Sequence, residues 1–167
     1  MTDAAEDFHA YVYARYRALM RTAFLLTGDH HAAEDLVQTA LAKAFLAWAR
    51  IERREAIDSY IRKTMVNEHT SWWRRAWRRR EVTREQVPDQ PLDDLGERDR
   101  DLWDLVERLP AKQRVAVVLR YYEDLTEAET AAALGVSVSA VKSRTSRAIA
   151  ELRSVLTEPT SVERNAR

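Results

Sequence analysis

The sequence predicts an all-α protein in which an acidic linker joins two small helical domains. Over most of the 167 residues, apolar side chains recur at the spacing of an amphipathic helix. This periodicity stops over residues 81–96, where Pro88, Pro91 and several acidic residues are typical of an extended linker. After it, the signals of two short helices that meet at a tight turn predict a helix-turn-helix. The second domain is therefore expected to have four helices and to end in that motif.

The first domain is expected to contain three long helices. The first ends at Gly28, because glycine tolerates the left-handed conformation of a helix terminus. Asp29 can then cap the second helix by accepting a hydrogen bond from a first-turn amide. The third helix starts near Ala56 and meets no Pro or Gly before the arginine-rich residues 74–80. Its predicted core residues are Ile57, Ile61, Met65 and Trp72.

The helix-turn-helix is predicted over residues 125–153. Thr126 and Glu129 have the spacing of a capping box, which places the start of its first helix. Gly135 can end that helix in the left-handed conformation, and Ser137 can cap the next one. The turn between the two helices is therefore short.

The second helix of this motif has two chemically different faces. Five residues at helical spacing are predicted to face the core: Val138, Val141, Thr145, Ala148 and Leu152. The opposite face carries short polar and cationic groups: Ser139, Lys142, Ser143, Ser146 and Arg147. Such groups contact base edges and phosphates when a recognition helix lies in the major groove. A solvated polar face is the alternative, but the caps and the glycine turn favour DNA binding.

The third helix has an outward face that mixes flat aromatic surface with positive charge. Its members are Asn67, Thr70, Trp73, Arg74, Trp77 and Arg78. Unstacked bases can stack on tryptophan while arginine holds the phosphates, a combination that suits single-stranded or distorted DNA. Alternatively, the tryptophans pack on a neighbouring helix. The net charge of zero hides this cluster of arginines, because an acidic stretch follows it directly.

Composition excludes several classes of protein. Without cysteine, the chain has no disulfide, iron–sulfur cluster or thiolate zinc site, and its four histidines lack ligand spacing. No apolar run reaches the roughly 18 residues of a membrane span, and the N-terminus lacks the features of a signal peptide. We therefore expect a cytoplasmic protein without a metal, a cofactor or catalytic residues.

A polar cluster lies near the start of the second helix. It consists of Glu34, Asp35, Gln38 and Thr39. The helix dipole favours acidic groups at this end of a helix, so on its own the cluster would be a solvated face.

Three stretches of the chain resemble extracytoplasmic-function (ECF) sigma factors of the sigma-70 family, most closely the actinobacterial SigE-like group. They are AEDLVQTALAKAFLAW, YIRKTMVNEHTSWWRRAWRRR and LPAKQRVAVVLRYYEDLTEAETAAALGVSVSAVKSRTSRAIAELR. The resemblance implies a region 2 domain at residues 1–80, a flexible acidic linker at 81–98 and a region 4 domain at 99–156. Residues 157–167 are expected to form a disordered tail.

The resemblance also implies roles for the polar faces. The cluster on the second helix would bind the β′ clamp helices of core RNA polymerase, and the region 4 domain would contact the β flap. The face of the recognition helix would read the minus-35 promoter element as duplex. The outward face of the third helix would recognise and melt the minus-10 element, together with three arginines that precede it: Arg50, Arg53 and Arg54. An anti-sigma factor is a further partner that the resemblance allows.

Two other classes of function remain open at this point. A stand-alone regulator with a LuxR-like helix-turn-helix would bind duplex DNA as a dimer without polymerase. An adaptor would bind another protein through the face with tryptophan and arginine, and would show no salt-dependent affinity for DNA. Neither class accounts for an acidic linker between a surface suited to opening DNA strands and a surface suited to reading duplex DNA.

Overall fold

The computed structural model describes residues 2–79 and 97–157, and every regular element in these two ranges is helical. The helices are α1 (Thr2–Thr27), α2 (His30–Ala47), α3 (Arg54–Arg79), α4 (Glu97–Val106), α5 (Ala111–Val117), α6 (Glu127–Leu134) and α7 (Val138–Thr157). A 3-10 turn follows α2 at Trp48–Arg50, and a π-helical turn extends α5 at Val118–Tyr122. The predicted all-α fold class is confirmed. The predicted linker and tail lie largely outside the described residues, although α4 already includes Glu97 and Arg98.

The N-terminal half, residues 2–79, is a bundle of α1, α2 and α3. Gly28 ends α1 with a φ of 71°, and its N–H donates to the Phe24 carbonyl at 2.7 Å. The Asp29 carboxylate accepts a hydrogen bond from the Ala32 amide at 2.8 Å and so caps α2, as predicted. The bundle core includes the predicted residues of α3, because Ile57, Ile61 and Met65 are buried and Trp72 packs against them.

The C-terminal half, residues 97–157, contains α4 to α7 and the predicted helix-turn-helix. Both bonds of the capping box form, since the Thr126 amide donates to Glu129 and the Glu129 amide donates to the Thr126 hydroxyl. Gly135 has a φ of 65°, and the Ser137 hydroxyl accepts from the Ala140 amide at 3.1 Å. These contacts confirm the local geometry of the motif.

One residue of the predicted core face of α7 is exposed. Val141, Thr145 and Ala148 are buried and Leu152 packs against the core, but Val138 is 39% exposed. Its prediction as a core residue was wrong. Val138 is the first residue of α7, directly after the loop at Gly135, and the neighbouring helices do not cover its side chain.

The two halves pack against each other and share one apolar core. Helix α1 contacts α4 and α5, and α3 contacts α6. The Trp103 ring of α4 meets the Phe24 ring edge-on at a centroid distance of 5.0 Å. The Arg114 guanidinium lies 5.5 Å from the centre of the same ring, and a Cβ added to Gly28 would lie 2.5 Å from it. Trp103 is therefore held between three groups at the junction of the halves.

Candidate nucleic-acid and polymerase interfaces

The α2 face groups the predicted polymerase-binding residues on one side of the N-terminal half. This face consists of Glu34, Asp35, Gln38 and Thr39. Asp35 and Gln38 are exposed, whereas Glu34 and Thr39 are half-buried. They lie opposite the buried stripe of α2, which contains Leu36, Val37 and Ala40. The structure thus brings the four residues together as an exposed acidic and amide surface within the first turns of a helix.

The α7 face presents all five predicted minus-35 residues to solvent. It consists of Ser139, Lys142, Ser143, Ser146 and Arg147, each of which is exposed. The Lys142 ammonium lies 3.7 Å from the Glu127 carboxylate in an exposed ion pair. An exposed ion pair contributes little to stability, so Lys142 can leave Glu127 and bind a phosphate instead. The face therefore combines hydroxyl and cationic groups on the second helix of a well-capped helix-turn-helix.

The α3 face lies against the C-terminal half. It consists of Asn67, Thr70, Trp73 and Arg74; the side chains of Trp77 and Arg78, which were also predicted here, lie outside the described part of the chain. Asn67, Trp73 and Arg74 are exposed and Thr70 is half-buried. Thr70, Trp73 and Arg74 line a cavity of about 520 Å³ together with residues of α5 and α7. Asn67 borders a second cavity, which Gly135 also lines.

The arginines before α3 are separated from the α3 face. Arg50 and Arg53 are exposed at the junction of α2 and α3, and the side chain of Arg54 lies outside the described residues. From residue 54 to residue 70, the axis of α3 rises by about 24 Å. The predicted minus-10 residues therefore form two surfaces at the two ends of one helix and do not form a single cluster.

The sequence analysis did not anticipate the cations on the opposite wall of the cavity that Trp73 lines. Lys112 of α5 and Arg144 of α7 line it with Arg74 and His69. His69 is 7% exposed, and burial followed by the charge of Arg114 lowers its pKa from 6.5 to about 4. No local pattern could have indicated this grouping, because it depends on how the two halves pack.

Within the residues that the structure describes, no helix is long and apolar enough to span a membrane. A search of the same residues found no group of three His, Cys, Asp or Glu side chains that could hold a metal ion.

Comparison with known proteins identifies the family. A family model described as "Sigma-70 region 2" matches residues 11–79, and one described as "Sigma-70, region 4" matches residues 99–152. The chain is 45% identical over 153 residues to the RNA polymerase sigma-E factor of Streptomyces coelicolor, covering 90% of this chain and 86% of the relative. The chain belongs to the sigma-70 family. It is an RNA polymerase sigma factor of the ECF type, which directs promoter recognition, as the sequence predicted.

Other relatives of this sigma factor agree. It is 30% identical over 150 residues to the ECF RNA polymerase sigma factor SigM of Mycobacterium tuberculosis, covering 84% of this chain and 72% of the relative. Among solved structures, it is similar to the sigma factor RpoE of Bartonella quintana in complex with the anti-sigma factor NepR, with a TM-score of 0.72 and 28% identity. That match covers 93% of this chain and 99% of RpoE. The fold also matches CnrH in complex with the cytosolic domain of CnrY, with a TM-score of 0.61 and 22% identity over 91% of this chain and 88% of CnrH.

Proposed function

We propose that the two halves of this sigma factor read different parts of the promoter. Residues 1–80 would capture core polymerase and open the minus-10 element, and residues 99–156 would bind the minus-35 element as duplex. The α7 face carries this proposal, since its five exposed hydroxyl and cationic residues lie on the second helix of a helix-turn-helix. The protein itself would do no catalysis and would act in the cytoplasm, where polymerase supplies the chemistry.

The charge of the α7 face supports contact with both backbone and bases. Lys142 is a flexible point charge suited to a phosphate, whereas the planar Arg147 guanidinium can donate two parallel hydrogen bonds to a guanine. Ser139, Ser143 and Ser146 are short enough to let the backbone of α7 approach the floor of the groove. Promoter selectivity would therefore depend mainly on Arg147.

Replacing Arg147 with alanine should weaken binding to the minus-35 element by about 1–3 kcal/mol, or roughly 5- to 150-fold. The loss arises because a bidentate contact to one base disappears. The measurement is the affinity of holoenzyme for promoter fragments that carry each single-base change in the minus-35 element. The loss of affinity caused by Arg147→Ala should be largest on the preferred sequence. It should vanish on the fragments in which the base that Arg147 contacts has been changed.

Arg153→Ala is the matched control, since Arg153 is an exposed arginine of the same helix that lies outside the α7 face. It should weaken all fragments equally and only slightly. Equal losses for Arg147→Ala on every fragment would show that Arg147 contacts a phosphate and does not read a base.

The α2 face supports capture of polymerase. Replacing Asp35 with alanine should weaken binding to core polymerase by about tenfold, because a cation of polymerase at the proposed interface loses its carboxylate partner. Holoenzyme formation can be measured by titration with labelled core polymerase, and circular dichroism checks the fold. Asp101→Ala, a carboxylate exposed in the C-terminal half, is the control. Normal affinity of Asp35→Ala for core polymerase would remove Asp35 from the interface.

The test of the whole proposal is run-off transcription on fragmented genomic DNA from the source organism, with core polymerase alone and with this protein added. Discrete starts that depend on the protein would support it, and the aligned upstream sequences would supply both promoter elements. An absence of starts, combined with failure to co-migrate with core polymerase on gel filtration, would favour a stand-alone regulator. The β flap and an anti-sigma factor are further partners under this proposal, and the solved complex of RpoE with NepR makes the latter worth testing.

A further inference from the structure

In the structure the two halves are packed against each other, which we call the closed arrangement. This arrangement is incompatible with simultaneous contact to both promoter elements. Arg74 of the α3 face and Arg144 of α7 line the same cavity, so the helix that carries the α7 face lies beside the α3 face. Elements centred near positions −10 and −35 are about 25 base pairs apart, which is roughly 85 Å of duplex. Under the proposed function, the halves must therefore separate before both elements are bound.

Glu123 makes two of the polar contacts between the halves. It follows the π-helical turn of the C-terminal half, and its carboxylate accepts hydrogen bonds from two helices of the N-terminal half. One oxygen accepts from the Thr22 hydroxyl of α1. The other lies 2.9 Å from the Nε of Arg62 on α3, in an ion pair whose side chains are 21% and 17% exposed. One carboxylate thus bridges two helices that are 101 and 61 residues away in sequence.

The backbone on either side of Glu123 is held by hydrogen bonds within the C-terminal half. The Glu123 amide donates to the Val118 carbonyl at 3.0 Å, and the Leu125 amide donates to the Leu119 carbonyl at 3.0 Å. Between them, Asp124 adopts a φ of 53°, a left-handed conformation that aspartate tolerates better than most residues. Little backbone freedom therefore remains to be lost at Glu123 when its carboxylate meets its partners, which lowers the entropic cost of the contact.

We propose that Glu123 is a latch that biases the free protein toward the closed arrangement. Trp103 stabilises the closed arrangement through apolar packing, whereas the latch depends on the negative charge of Glu123. When the halves part, Arg62 and Glu123 can exchange their bond for water, since both already reach the surface. The latch therefore favours closure without making it permanent.

The test measures the separation of the halves in the free protein. Because the chain contains no cysteine, spin labels can be placed at Tyr13→Cys in α1 and Ala150→Cys in α7, both exposed positions. Pulsed dipolar spectroscopy then gives the ratio of open to closed molecules. Glu123→Gln should raise this ratio about tenfold, because it removes the charge from a hydrogen-bonded ion pair. Asp124→Asn, which removes the same charge from the next residue and tolerates the same backbone conformation, should leave the ratio unchanged.

A double-mutant cycle identifies the partner. Arg62→Gln should also raise the ratio about tenfold, and the double variant should do no more than either single variant, because both remove one interaction. A hundredfold rise in the double variant would contradict the latch, as would a Glu123→Gln ratio equal to that of Asp124→Asn. An unsubstituted protein that is already mostly open would also overturn it. The experiment contains neither polymerase nor DNA, so its failure is distinguishable from failure of the proposed function.

Discussion

Replacing Trp103 with alanine should lower the free energy of unfolding by about 3 kcal/mol. The indole packs edge-on against Phe24, lies under the Arg114 guanidinium and fills the space over Gly28. Its removal would leave a cavity between α1 and α4, and neither helix can move to fill the cavity without losing other contacts. Urea denaturation followed by circular dichroism measures this loss.

Tyr13→Ala is the matched control for Trp103→Ala. Tyr13 is an aromatic residue of α1 that is 87% exposed, so its truncation should change the free energy of unfolding by less than about 1 kcal/mol. A loss for Trp103→Ala no larger than that of the control would mean that the indole contributes little to holding the halves together.

Lowering the pH from 7 to 4 should reduce the free energy of unfolding by about 3 kcal/mol through His69 alone. Burial lowers the pKa of His69 to about 4 in the folded protein, against 6.5 when unfolded. Between these values the unfolded chain binds the proton and the folded chain does not. The stability that depends on a neutral His69 is therefore fully present above pH 6.5 and is lost as the pH falls toward 4. The charge of the neighbouring Arg114 also opposes a charged imidazole.

His69→Gln isolates this effect. The variant keeps a polar side chain of similar size but cannot titrate, so the protonation of carboxylates contributes equally to both proteins. The measurement is the free energy of unfolding of each protein from pH 4 to pH 7.5. Between pH 7 and pH 4 this free energy should fall by about 3 kcal/mol more in the unsubstituted protein than in the variant. Parallel curves would show that His69 is able to take up its proton in the folded state.

Features of the fold that depend on neighbours in sequence were predictable. Gly28, Gly135 and the capping box of Thr126 and Glu129 act within one helical turn, so their residue types alone indicate where helices begin and end. The faces of α2 and α7 were predictable for the same reason, since helical spacing determines which residues share a side.

Contacts between the halves could not be predicted in this way. Trp103 packs on Phe24 of α1, and Glu123 resembles any solvated acid near the end of a helix. Their partners are distant in sequence, and no local pattern encodes them. The same packing brings the α3 face against the C-terminal half. The sequence left open whether this face is exposed or packs on a neighbouring helix, and it did not indicate which helix that would be.

Gly28 makes two properties of this sigma factor inseparable. Its left-handed backbone ends α1, and its missing side chain leaves the room that the Trp103 ring occupies. A substitution there would disturb the turn into α2 and the seat of the indole at once. The junction of the halves therefore cannot be loosened at this position without also changing the corner between α1 and α2.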